Sequence, residues 1–163
     1  MNPIKLLALL LLIGLNQELA YAQQERKPIR QGNRLYEQAV SDSTAADTLL
    51  LQSAEEKYRK AIEENPSSFE AGFNLGNALF KQEKFPEASG QYQLLLNRTE
   101  DKKELSKVHY NLGNALLAQG KIEESIESYK ESLRKNPSDT AAKYNLAVAQ
   151  KMLQESQQNQ QEQ

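Results

Sequence analysis

No cysteine occurs in the 163 residues, which excludes disulfides, thiolate metal sites and a cysteine nucleophile. Tryptophan is absent too, and four Phe and seven Tyr supply little aromatic mass. The single histidine, His109, makes neither a metal site nor a base–nucleophile pair without a clustered partner, so a packing role is expected of it. Positive charge is not in surplus: 20 Lys and Arg against 22 Asp and Glu leave a net −2. Such a chain has little with which to neutralise phosphates, and nucleic acid is not expected as a ligand. Neither a phosphate loop, a Rossmann glycine pattern nor a nucleophile elbow is found. Acidic pairs such as Glu55-Glu56, Glu63-Glu64 and Glu123-Glu124 are adjacent on helices, where neighbours do not point together, so they read as solvated faces. With no candidate catalytic residues, an enzyme is not expected, and neither is a cofactor or a metal.

Long apolar runs are missing apart from one short one. Lys5 precedes Leu6 to Leu15, and a polar stretch then leads to Ala20-Tyr21-Ala22, the order of a secretory signal peptide. Ten apolar residues at about 1.5 Å each cover roughly half of a ~30 Å hydrocarbon core, so a stable transmembrane helix is the weaker reading. Cleavage is expected after Ala22. No Cys follows for lipid attachment, so the mature chain should be periplasmic or extracellular and span no membrane.

What the sequence does contain is a repeat. Asn74-Leu75-Gly76-Asn77-Ala78-Leu79-Phe80 returns as Asn111-Leu112-Gly113-Asn114-Ala115-Leu116-Leu117 and, eroded, as Asn145-Leu146-Ala147-Val148-Ala149. Leu75 to Leu112 is 37 positions and Leu112 to Leu146 is 34, periods that indicate stacked helical units. The expected organisation is a signal peptide over 1–22, a degenerate first unit over 23–68 with a long polar inter-helix loop at 41–47, a second unit over 69–105 and a third over 106–139. A capping helix over 140–153 follows, because a solenoid's last unit needs its apolar face covered. The Gln-rich stretch 154–163 has nothing to bury and is expected to be disordered. Within the units, Ser106 to Gln119 should form a helix closed by Gly120. Glu83-Lys84 should make the corresponding turn in unit two, before Pro86 at a helix start.

Leu75-Gly76 and Leu112-Gly113, small Ala54, Ala88 and Ser125, aromatic Tyr58, Tyr92 and Tyr129, small Ala61 and Ser132, and Pro66 and Pro137 resemble the tetratricopeptide repeat. The resemblance implies an all-α, right-handed superhelix of three helix-turn-helix repeats plus a capping helix. Some residues depart from the pattern. Gly72, His109 and Lys143 stand where an aromatic is expected, Leu95 replaces a small residue, and the second unit lacks its closing Pro, so a looser joint is expected there. More narrowly, the export signal, Arg30 to Glu37, the two Asn-Leu-Gly-Asn-Ala-Leu motifs and the Gln-rich end resemble the tetratricopeptide proteins of the Bacteroides-type aerotolerance (Bat) operon. That likeness implies an envelope protein working beside membrane-anchored von Willebrand A-domain proteins in tolerance of oxidative stress.

The family resemblance also implies that the first helix of each unit lines a concave groove. The candidate peptide-binding residues are Asn33, Phe73, Asn74, Asn77, Lys107, Tyr110, Asn111, Asn114, Tyr144 and Asn145, with Ile29, Arg30, Lys81 and Val148 in the same register. An Asn side chain both donates and accepts, so a ladder of them can hold an extended backbone whatever its sequence. The alternative is that the Asn residues only hold the superhelix together. Relatives that clamp a C-terminal carboxylate carry basic residues where this chain has Ile29 and Asn111, so recognition of an acidic C-terminus is not expected. A partner protein segment is the expected ligand. Self-association through Tyr144, Val148 and Met152, as a structural scaffold, is the competing reading, and a periplasmic co-chaperone role is a further alternative.

Overall fold

The computed structural model describes residues 6–7, 26–41 and 47–161. The rest of the expected leader, residues 42–46 of the long loop and the last two residues lie outside them. Seven helices follow one another among the described residues: α1 over 26–40, α2 Thr48–Glu64, α3 Phe69–Lys81, α4 Phe85–Leu95, α5 Lys102–Ala118, α6 Ile122–Lys135 and α7 Thr140–Gln161. No strand occurs among these residues, and none of the helices is long and apolar enough to cross a membrane. From α2 onward each helix packs mainly on its chain neighbours, as expected of an all-α solenoid of three helical pairs closed by a capping helix.

Local chemistry sets the helix starts. The Asp47 carboxylate accepts from the N–H groups of Leu49 and Leu50, Ser68 Oγ from Ala71, Asp101 from Glu104 and Asp139 from Ala142. Each satisfies a backbone donor that the first helical turn leaves unpaired. The α5 helix ends as expected at Gly120, whose φ is +75°. Gly120 N–H bonds to the Leu117 carbonyl and Lys121 N–H to that of Leu116, the paired closure that favours Gly at this position.

The same closure ends α3, where Glu83 N–H meets Phe80 O and Lys84 N–H meets Leu79 O, but here Glu83 carries the positive φ of 59°. A side chain in that region costs about 1 kcal/mol. Glu83→Gly should therefore raise stability by about 0.5–1 kcal/mol, read as a higher urea midpoint.

Large tyrosines and small residues share the core. Tyr58, Tyr92 and Tyr129 are fully buried beside Ala54, Ala88 and Ser125. Polar seams join the units as well. The Gln119 side-chain amide donates to Phe85 O and Ser89 Oγ of α4, and that of Gln82 donates to the Glu55 carboxylate of α2. Glu55 also pairs with Arg59 and Lys84, both at 2.8–2.9 Å. Burial alone would raise its pKa, but the hydrogen bonds from Lys84, Arg59 and Gln82 outweigh burial and hold the carboxyl below its ordinary value.

Several expectations need correction. The α5 helix starts at Lys102 rather than Ser106, because Asp101 caps it early; the extra positions of the longer period become an added helical turn. The joint expected to be loose is tied: the Arg98 guanidinium donates to Pro66 O, Thr99 Oγ1 pairs with the Glu104 carboxylate, and Asp101 N–H donates to Thr99 Oγ1. Two departures from the repeat pattern compensate each other, since a Cβ on Gly72 would stand 2.8 Å from Leu95 Cδ2. The larger Leu fills the space the Gly vacates. Finally, α7 does not stop at Leu153 but continues to Gln161. Gln and Glu are good helix formers and neither Gly nor Pro interrupts them, so the segment expected to be disordered from Gln154 is helical to that point.

Candidate functional site

The candidate groove begins with three glycines. A Cβ placed on Gly32, Gly76 or Gly113 would lie 2.6, 2.5 or 2.6 Å from Cε1 of Tyr58, Tyr92 or Tyr129 respectively. Real Cβ atoms do not come so close, so the missing side chain is what lets each ring lie against the backbone of α1, α3 or α5. Seated there, each phenol reaches the residue after the glycine. Tyr58 Oη donates to Asn33 Oδ1 at 2.9 Å, Tyr92 Oη to Asn77 Oδ1 at 2.8 Å and Tyr129 Oη to Asn114 Oδ1 at 2.8 Å.

Each of those amide oxygens accepts a second bond, from the next unit. Asn74 Nδ2 donates to Asn33 Oδ1 at 2.9 Å, Asn111 Nδ2 to Asn77 Oδ1 at 2.9 Å and Asn145 Nδ2 to Asn114 Oδ1 at 2.8 Å. An amide oxygen has two lone pairs, and both are used inside the solenoid. The Asn residues thus hold the repeats together by bonding to one another and to tyrosines, not to neighbouring helix backbones. What Asn33, Asn77 and Asn114 keep is their side-chain N–H groups, which donate to nothing else among the described residues. The ladder ends at α7, where Ala147 and Val148 occupy the glycine and acceptor positions.

Burial raises the pKa of all three tyrosines, well above the usual phenol range for Tyr58 and Tyr92 and up to about 12 for Tyr129. The unfolded chain releases these protons near pH 10. Folding therefore favours the protonated form, and the contribution is whole below pH 10 and lost as pH rises towards 12. The unfolding free energy read from urea titration should stay level from pH 8 to 9.5 and fall above pH 10, by up to about 1.4 kcal/mol per pH unit for each tyrosine. Tyr129→Phe should make the fall shallower by one tyrosine's share, leaving that of Tyr58 and Tyr92, while costing about 1 kcal/mol at neutral pH.

Two adjoining cavities lie along this face. One, of ≈ 270 Å³, is lined by Asn33, Tyr36, Glu37, Tyr58, Asn74 and Asn77. The next, of ≈ 330 Å³, is lined by Tyr36, Asn77, Phe80, Lys81, Tyr92, Asn111 and Asn114. Of the candidate residues, Asn33, Asn74, Asn77, Asn111 and Asn114 are brought together here. Phe73 and Tyr110 do not line these cavities. Phe73 stacks on Phe69 at 5.9 Å and tilts against Tyr92 at 6.1 Å, and Tyr110 meets Tyr129 in the same way at 6.1 Å. Asn145 bonds to Tyr110 Oη as well as to Asn114, while Lys107 and Tyr144 are exposed on α5 and α7.

Ile29, expected in the groove, is instead buried with Ala61 and Ala71, because an apolar side chain gains more there than in a polar channel. Tyr36, Glu37 and Phe80 line the cavities although they were not among the candidate groove residues. They follow Asn33 and Asn77 by three or four residues, one turn along the same face. His109 is half-buried, and burial lowers its pKa. Among the described residues no group of three His, Cys, Asp or Glu side chains could hold a metal ion.

Two family models, both for the tetratricopeptide repeat, match residues 106–139 and 44–102. The chain is built of tetratricopeptide repeats. The first match takes in nearly all of α5 and α6, and the second takes in α2, α3 and α4. Solved tetratricopeptide domains share the fold at low identity. The first such domain of human RPAP3 superposes with a TM-score of 0.70 at 20% identity, covering 82% of this chain and 95% of that one. The first such domain of Spaghetti, bound to the HSP90 peptide SRMEEVD, gives 0.70 at 21%, covering 80% and 94%. The second domain of human RPAP3, in complex with the HSP70 peptide SGPTIEEVD, gives 0.68 at 18%, covering 80% and 98%. No curated protein matches the sequence.

Proposed function

We propose that this tetratricopeptide-repeat protein is a non-catalytic interaction module that holds an extended segment of a partner protein along α1, α3 and α5. The observation that carries the proposal is the row of unused N–H groups on Asn33, Asn77 and Asn114, turned along two adjoining cavities. An extended chain offers carbonyl acceptors at regular intervals, and such donors can hold it independently of sequence. Similar domains bound to HSP90 and HSP70 peptides support the reading. Capture of an acidic C-terminus does not follow, since Ile29 is buried and the Asn111 amide is tied to Asn77.

The signal-like leader supports export and work in the bacterial envelope. The likeness to the Bat-operon proteins supports a place in an aerotolerance complex with von Willebrand A-domain proteins. Placing a photo-crosslinking residue at Lys81, on the groove, or at Glu124, exposed on α6, tests the site inside cells. Partner adducts should form from Lys81 and not from Glu124; adducts from Glu124 alone would move the binding face to the other side.

One observation favours self-association as a second reading: Tyr144 and Met152 of α7 are 70% and 40% exposed. A strict monomer at micromolar concentration would rule it out.

A further inference from the structure

The two cavities differ in charge. Glu37 lines the first and Lys81 the second, and the cavities share Tyr36 and Asn77. The two charges hold one register: each stands four residues, about one helical turn, after a ladder asparagine, Asn33 or Asn77. In α5 and α7 that register holds Ala118 and Met152, so the charged positions belong to the first two units alone. Both side chains are exposed, and neither forms an ion pair among the described residues. A lone carboxylate and a lone ammonium in neighbouring cavities, on either side of a shared donor at Asn77, form a charge-ordered slot.

We infer that the partner segment is an extended stretch with internal, oppositely charged side chains: a Lys or Arg seated against Glu37 and an Asp or Glu against Lys81, with a backbone carbonyl between them on the Asn77 amide. The inference rests on the groove reading above and specifies its ligand. Recognition of this kind does not need a free chain end, because both charges meet side chains. Solvent-exposed pairs of this sort contribute about two- to five-fold each in affinity, so they set the order and register of the segment while the backbone contacts supply sequence-independent grip.

The test is selection from a synthetic decapeptide library, acetylated and amidated so that no terminal charge remains, on the exported protein. Enriched peptides should carry a basic and an acidic residue at one fixed separation. Glu37→Gln should erase the basic preference alone and Lys81→Met the acidic one alone. The exchange Glu37→Lys with Lys81→Glu should invert their order, with the helical circular dichroism signal unchanged in every variant. Binders enriched without charge preference, or with preferences that these substitutions do not move, would overturn the inference and leave the groove reading standing. Failure to enrich any peptide would overturn both.

Discussion

Gly113→Ala is expected to lower stability by about 2–3 kcal/mol, roughly 4–12 °C in Tm for a chain of this size. A methyl group there would start 2.6 Å from Cε1 of Tyr129 and 2.7 Å from its Cδ1. Helix propensity alone predicts the opposite, since Ala is favoured over Gly inside a helix by about 1 kcal/mol. The sign of the change therefore decides between them. The ring cannot simply withdraw, because its hydroxyl is bonded to Asn114 and Tyr129 is fully buried. Gly76→Ala should behave alike, its Cβ meeting Tyr92 at 2.5 Å. Gly90→Ala is the internal control: nothing stands within 4 Å of its Cβ, so that substitution should stabilise α4. Thermal melts of the three variants check all of this.

The second large effect is an asymmetry between two asparagines of the same motif. Asn77→Ala removes an oxygen on which both Tyr92 and Asn111 depend, leaving two half-buried donors without a partner. A cost of about 2–3 kcal/mol is expected. Asn111→Ala removes only one donor, and Asn77 Oδ1 keeps its bond to Tyr92, so about 0.5–1 kcal/mol is expected. Were the asparagines present only to meet a ligand, both substitutions in the free protein would be nearly silent. Urea unfolding of the two variants without any partner separates these cases.

Much of the fold could be read from the sequence because repetition multiplies weak signals. Leu-Gly pairs 37 residues apart placed α3 and α5, and Pro and Asx residues placed several helix starts. The misplaced boundaries share a cause: polar stretches such as 102–105 and 154–161 read as loop by composition, while a cap at Asp101 or a run of good helix formers makes them helical.

The function of the ladder was harder to read. Register shows that Asn33, Asn77 and Asn114 share a face, but their partners are tyrosines on another helix and amides in another unit, and sequence does not give that contact. One signal was available, since Asn77 to Tyr92 and Asn114 to Tyr129 are both 15 residues apart. Tyr36, Glu37 and Phe80 stand inside the quoted stretches, Arg30 to Glu37 and Asn74 to Phe80, but one turn beyond the ladder asparagines, and the pattern alone does not show that this turn still faces the groove. Ile29, Phe73 and Tyr110 hold one register, four residues before Asn33, Asn77 and Asn114, and in each unit that position packs inward, Ile29 on Ala61 and Ala71 and the two rings on Tyr92 and Tyr129, a contact the sequence pattern does not give.

Asparagines of successive repeats are bonded to one another through the oxygen of Asn77. A double-mutant cycle between Asn77 and Asn111, read by urea unfolding of the isolated protein, measures that bond directly. A favourable coupling of about 1 kcal/mol is predicted. Additive effects, with no coupling between the two positions, would contradict the ladder as the link between repeats.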